Sequence, residues 1–258
     1  MTEPVLKIAD EGRVRILTLN RPAQLYAMND ALYDACAVAL MDAADDPGVA
    51  VVIITGEGRA FCAGQDLAEM ADRPVYPEGE RHGFVPFMET LESFPKPLIA
   101  AVNGLGVGIG LTMLPYCDLV FIDPTGRLRA PFVTLGVTAE AGSTVLLPAL
   151  IGWANTAEVL YTGRWVDAPT AVAYGLAREV SAPGKVLDRA REAAALIAPN
   201  PIASLTATKK LLITARFETV RAARLRESAV FDGLEGGPAN LEALAAFREK
   251  RPADFSGL

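Results

Sequence analysis

Two glycine-rich turns carry the residue pattern best suited to chemistry. Residues 56–67 (GEGRAFCAGQDL) follow an apolar run and lead into a helix, and residues 103–110 (NGLGVGIG) stand in the same context. Glycine lets a backbone approach a neighbour or a ligand closely, and a helix start presents N–H groups with no intrahelical acceptor. If two such strand ends converge, their amides form an oxyanion hole, which stabilises negative charge developing on oxygen. Tight packing alone accounts equally well for Gly104, Gly106, Gly108 and Gly110. A dinucleotide fingerprint does not fit, because GxGxxG would need glycine at Ile109 or at Leu111, and no GxxxxGK[ST] is present.

The proton carriers are few. The single histidine, His82, lies in a Pro/Gly-rich charged stretch, 72–83, and reads as a solvated residue on a mobile surface loop. A Ser-His-Asp or Cys-His site would have to use it, so a carboxylate is the better candidate for proton transfer. Glu140, Asp66, Asp118 and Asp123 are available. By itself Glu140 reads as a first-turn acidic residue following an N-capping Thr138, worth about 0.3 to 1 kcal/mol against the helix dipole. Cys36, Cys62 and Cys117 are widely spaced and form no CxxC or Cys/His grouping, so a reduced, cytoplasmic protein without a metal site is expected.

The elements that would position these groups alternate between strand and helix. Strands are expected at 13–19, 50–55, 97–102 and 118–122, and helices at 30–45, capped by Asn29 or Asp30, and at 108–116. That alternation is the signature of an α/β fold. From about residue 143 helices dominate, at 154–161, 168–174 and 186–197. After Pro199-Asn200-Pro201 come two more, 202–233 and 239–248, with apolar residues all around them, which predicts an appendage that packs on another subunit. Trp153, Trp165, Met28, Met41 and Met113 are expected to be packing residues.

The 258 residues, 51% hydrophobic and 21% charged, fit a folded α/β domain and exclude a disordered chain. With 24 Lys+Arg against 31 Asp+Glu and no basic cluster, nucleic acid is a poor partner. Residues 97–117 carry no charge and match a membrane span in length, but four alternate glycines and Pro115 favour a buried strand and turn. The N-terminal residues 1–13 are polar and do not resemble a signal peptide.

Several segments, AFCAGQDL (60–67), KPLIAAVNGLGVGIGL (96–111), CDL (117–119), APFVTLGV (130–137) and YTGRWVDAPTAVAYGLA (161–177), resemble the enoyl-CoA hydratase/isomerase (crotonase) superfamily in order and spacing. The resemblance implies a core of ββα repeats in a spiral over 1–200. It also implies a C-terminal helical oligomerisation region over 201–258 that makes a homotrimer, or a hexamer as a dimer of trimers. Acyl-CoA thioesters would be the substrates, with coenzyme A part of the substrate and no separate cofactor.

Carried over by position, the resemblance makes Gln65 and Ile109 the donors of the oxyanion-hole N–H groups. It places substrate contacts at Ala23, Leu25, Ala63, Gly64, Asp66, Leu67, Gly106, Pro131 and Leu135. The two glutamates of the family's hydratases fall at Thr112 and Phe132, neither of which is a base. The PF..LG..xE.G.(S/T) run at 131–144 resembles that of Δ3,Δ2-enoyl-CoA isomerases, which makes Glu140 the single catalytic base. A hydratase or a non-catalytic acyl-CoA binding protein is the alternative. Arg21, Arg59 and Lys209 or Lys210 are candidates to hold the CoA phosphates, since Ala23 and Gln24 stand where the family often has a basic residue.

Overall fold

A computed structural model describes residues 3–71 and 74–258. Its chain order is β1 (Leu6–Glu11), β2 (Val14–Leu19), α1 (Asp30–Asp45), β3 (Val51–Gly56), β4 (Ala60–Cys62), α2 (Leu67–Ala71), α3 (Phe84–Ser93), β5 (Leu98–Val102), β6 (Leu105–Val107), α4 (Ile109–Thr112), β7 (Leu119–Ile122) and β8 (Arg127–Arg129). There follow α5 (Ser143–Ile151), α6 (Trp153–Thr162), β9 (Val166–Asp167), α7 (Ala168–Tyr174), β10 (Glu179–Val180), α8 (Val186–Ile197), α9 (Ile202–Thr214), α10 (Phe217–Leu234) and α11 (Pro238–Glu249). The expected long strands and α1 are present, and Asn29 caps α1 by accepting from the Leu32 N–H at 3.1 Å. The uncharged run 97–117 is β5, β6 and α4 followed by a 3₁₀ turn, not a span.

Two sheets result. The larger runs β1-β2-β3-β5-β7-β10, parallel except for the β1–β2 hairpin, and the smaller runs β4-β6-β8-β9. The chain passes from the larger sheet to the smaller and then into a helix at β3-β4-α2 and again at β5-β6-α4, which is the ββα spiral. The smaller sheet was not foreseen; its strands are two or three residues long, too short for alternation to register, and β4 lies inside what read as a turn. Alternation does explain the layers of the larger one. Val51, Ile53, Ile99, Ala101 and Phe121 face α8, while Val52, Ile54, Ala100, Val102 and Ile122 face the main core with α1.

The C-terminal helices pack on their own core as well as presenting apolar surface. In α9, the buried Lys209 donates to Asp118, whose carboxylate also accepts from the Leu98 N–H at 2.8 Å. In α10, Arg224 pairs with Glu92 of α3 at 2.6 Å, both side chains nearly fully buried. The expected helix 202–233 breaks at Ala215 and Arg216 into α9 and α10. Leu211, Leu212, Leu225, Leu241 and Phe247 remain exposed.

Two packing expectations are corrected. Trp153 is 74% exposed and Met41 is 49% exposed, whereas Met28 and Met113 are buried as expected. Trp165 is partly buried beside two cations, with the Arg127 and Arg129 guanidinium carbons 4.9 and 5.5 Å from its ring centre. Met41 falls on the outward side of α1 because Leu40 and Ala43 already fill the inward face.

The Arg224–Glu92 pair generates a stability prediction. Removing one partner strands a charge in the interior, so Arg224→Met should lose about 3 to 5 kcal/mol in chemical denaturation. The double substitution Glu92→Met with Arg224→Met should recover most of it. A single variant as stable as the parent would contradict the pairing.

Candidate functional site

The two glycine turns meet edge to edge. A Cβ added at Gly110 would lie 2.4 Å from the Cys62 carbonyl oxygen, and one at Gly64, whose φ is +96°, would lie 3.0 Å from the Val107 oxygen. Side chains there would hold the turns apart. Gly108, with φ +53°, precedes α4 so closely that its Cβ position is 3.9 Å from the Gly64 Cα. The ambiguity between packing and a ligand-facing turn is thereby resolved in favour of packing at Gly110, and the contact brings the turns that carry Gln65 and Ile109 together.

Both amides are left without an acceptor among the described residues. Segment 25–28 runs beside segment 63–66: Ala63 N–H donates to the Leu25 oxygen at 3.2 Å, Met28 N–H to the Gly64 oxygen at 2.7 Å, and Asp66 N–H to the Met28 oxygen at 2.9 Å. Since neighbouring peptides in an extended chain point opposite ways, the Gln65 N–H faces away from Met28. Ile109 opens α4, where the first N–H groups have no partner within the helix.

Glu140 sits in the loop between the 3₁₀ turn at 133–135 and α5. It is not a first-turn residue capped by Thr138, because the helix begins at Ser143, after Gly142. Ala141 and Gly142 both have left-handed backbones, φ +61° and +68°. An alanine there is strained, a feature that concentrates at functional sites. The Ala141 oxygen accepts from Tyr116 Oη at 2.7 Å, and Glu227 of α10 accepts from Gly142 N–H at 2.6 Å and from Thr144 N–H at 2.9 Å.

The Glu140 carboxyl itself accepts no hydrogen bond from the described residues. Burial, with the neighbouring negative charge of Glu227, pushes its pKa up to about 8. Its residue surface is nevertheless only half-buried. Its charge in turn adds to burial in raising the Tyr33 phenol and the Cys62 thiol, the latter to about 12. Tyr33 Oη donates to Gln65 Oε1 at 3.0 Å, so Glu140, Tyr33 and the Gln65 turn form one neighbourhood. Tyr33 and Glu227 carried no readable signal in sequence; each looks like an ordinary helix residue.

The remaining predicted positions divide. Leu25, Ala63, Gly64, Asp66 and Leu67 lie together around the Gln65 turn, with Ala23 exposed at its edge. Pro131 and Leu135 belong to the turn leading to Glu140, joined by a Leu135 N–H to Pro131 oxygen bond of 3.0 Å. Gly106 instead abuts the Leu128 side chain, where a Cβ would come within 2.7 Å. Thr112 is fully buried and donates to the Gly108 oxygen at 3.3 Å, and Phe132 is buried.

Two basic candidates are already committed. Arg21 donates to Asp66 at 2.8 Å and to the Ala27 oxygen. Partial burial pushes Asp66 up, but Arg21 and the α2 amides outweigh it and hold the carboxyl below its usual range. Lys209 is bound to Asp118. Arg59 and Lys210 are exposed and form no ion pair among the described residues.

His82 is a part-exposed loop residue, as read, but it has partners. Its Nδ1 lies 2.6 Å from Asp34 Oδ2 and its Nε2 3.2 Å from Glu80, and its ring stacks on Tyr76 with centroids 4.0 Å apart. These hydrogen bonds raise its pKa. Of the stretch 72–83, Asp72 and Arg73 lie outside the described residues, as do Met1 and Thr2 of the polar N-terminus. Asp123 accepts from Thr125 and from the Gly184 N–H, a loop-fixing role.

An apolar pocket of about 170 Å³ opens beside the Glu140 loop, lined by Phe132, Ala139, Pro148, Trp153 and Leu160, and a shallower one lies between α1 and α3. Neither contains the Gln65 or Ile109 amides, which are a backbone feature at the strand ends. No group of three or more His, Cys, Asp or Glu among the described residues could hold a metal ion, and no helix among them is long and apolar enough to cross a membrane.

The family described as enoyl-CoA hydratase/isomerase matches residues 10–257. The chain is 33% identical over 253 residues to 2,3-dehydroadipyl-CoA hydratase of Escherichia coli K12, covering 98% of each protein. It is 32% identical over 267 residues to 1,2-epoxyphenylacetyl-CoA isomerase of the same organism, covering all of both. The solved enoyl-CoA hydratase/isomerase from Pseudoalteromonas atlantica superposes with a TM-score of 0.93 at 32% identity, over 98% of this chain and 100% of that one. With a family match over nearly the whole chain and full-length relatives at about a third identity, the chain belongs to the enoyl-CoA hydratase/isomerase family.

Proposed function

We propose that the protein is a Δ3,Δ2-enoyl-CoA isomerase, with Glu140 as its one base. The observation that carries this reading is the Glu140 carboxyl, unbonded, raised to about 8 and adjoining the Tyr33–Gln65 side of the amide pair. The Gln65 and Ile109 N–H groups would hold the thioester oxygen and favour the enolate over the neutral thioester. Glu140 takes a proton from C2, the double bond shifts, and the same carboxyl returns the proton at C4, so no atom is gained or lost. A base whose pKa lies near the working pH suits such a shuttle. Arg59 and Lys210 are the free cations suited to the CoA phosphates.

Hydration is the second reading, favoured by the names of most relatives, the dehydroadipyl-CoA hydratase among them. Addition of water needs a second group to hold and deprotonate it. Thr112 spends its hydroxyl on the Gly108 oxygen, and Phe132 has no proton to move.

The exposed Leu211, Leu212, Leu225, Leu241 and Phe247 support assembly as a trimer or hexamer. Light scattering should give a mass of three or six chains. Leu211→Glu with Phe247→Glu should lower it, and a monomeric parent would contradict the assembly.

The purified protein should convert a 3-enoyl-CoA to its 2-enoyl isomer much faster than it hydrates the 2-enoyl thioester. Because the base must be deprotonated, isomerisation should rise with pH through a midpoint near 8, the value to which Glu140 is pushed. Glu140→Gln should lose about 10³-fold or more in kcat while binding a saturated acyl-CoA within a few-fold of the parent. Equal hydration and isomerisation rates, or an active Glu140→Gln protein, would overturn the reading.

A further inference from the structure

The C-terminal helix α10 sends one charged side chain to the Glu140 turn. Glu227 is buried, 5% exposed, and its carboxylate accepts from Gly142 N–H at 2.6 Å, Thr144 N–H at 2.9 Å and Thr144 Oγ1 at 2.5 Å. No cation among the described residues comes within ion-pair distance of it. One turn earlier on the same helix Arg224 is spent on Glu92. The helix and the turn are fitted to each other at a second point, since a Cβ on Gly142 would meet the Val220 side chain at 2.9 Å. Replacing Glu227 would therefore release three donors beside two left-handed residues, immediately after Glu140.

We propose that Glu227 is a positioning residue for Glu140: its carboxylate fixes the strained turn that carries Glu140 and supplies the fixed negative charge against which that carboxyl gains and loses its proton. The proposal rests on the reading of Glu140 as the base. The titratable groups coupled electrostatically to Glu140 are Tyr33 from α1, Cys62 from β4 and Glu227 from α10. Tyr116, hydrogen-bonded to the turn, feels the charges of Glu227, of the mutually paired Glu92 and Arg224, and of Arg216, which donates to the Pro115 oxygen. A carboxylate held by backbone and hydroxyl donors keeps its charge close to Glu140, where a salt bridge would neutralise it.

Two variants separate reach from charge. Glu227→Gln keeps the length and loses the charge; Glu227→Asp keeps the charge and cannot span all three donors. The Glu140 carboxyl is titrated by carbon-13 NMR, its signal assigned by its loss in Glu140→Gln, and kcat and KM are measured on a 3-enoyl-CoA. In Glu227→Gln the midpoint should fall by about one pH unit, the size of a nearby like charge, and kcat should fall about tenfold with KM within about twofold. In Glu227→Asp the midpoint should stay at the parental value while kcat falls. A folded Glu227→Gln protein with the parental midpoint and kcat would overturn the proposal, as would a fully active Glu227→Asp protein if the glutamine variant does not fold. A midpoint shift in a parent that lacks isomerase activity would uphold the coupling of Glu227 to Glu140 and refute the isomerase reading alone.

Discussion

The site depends on one steric constraint: two parallel strand ends must come into backbone contact. Gly110 against the Cys62 carbonyl and Gly64 against the Val107 carbonyl are the points where any side chain would intervene. Because β4 and β6 pair in parallel, their chains leave the smaller sheet in the same direction and deliver Gln65 and Ile109 to the same edge. The bridge to Met28 then decides which way the Gln65 peptide points, by occupying the Gly64 oxygen and the Asp66 N–H on the other side. The amide pair is thus a product of packing, and it tolerates an isoleucine at 109 because only the backbone is used.

The Glu140 carboxyl has an environment assembled from distant parts of the chain. Tyr33 comes from α1, Cys62 from β4, and the turn is clamped by Tyr116 from one side and Glu227 of α10 from the other. Its raised pKa follows from burial and from the neighbouring Glu227, which has no cation within ion-pair distance among the described residues. A helix that reads as an assembly element therefore also belongs to the candidate site of its own chain. The strain at Ala141 is sustained because three hydrogen bonds to Glu227 and one from Tyr116 determine the turn from both ends.

Much of this was legible in sequence where a periodic pattern was long enough to see. The strands at 14–19, 51–56, 98–102 and 119–122 and the Asn29-capped helix announced themselves by alternation and spacing. The smaller sheet did not, since two- and three-residue strands hold no period. Gln65, Ile109 and Glu140 were singled out by motif resemblance; the free direction of the Gln65 amide required the bridge to Met28, which no local pattern encodes. The pairing of His82 was missed because its partner Asp34 lies 48 residues away, and Arg21 and Lys209 looked like free cations because Asp66 and Asp118 are distant in sequence. Long-range polar pairing is invisible to composition and period, and it is what separates structural charges here from those left for a ligand.

The most direct measurement is a crystal structure of the protein with a non-reacting acyl-CoA bound. The thioester oxygen should lie about 2.7 to 3.1 Å from both the Gln65 and Ile109 nitrogens, with a Glu140 oxygen about 3 to 3.5 Å from C2. A thioester oxygen bound away from both amides, or a Glu140 carboxyl turned from C2, would contradict the assignment of this site.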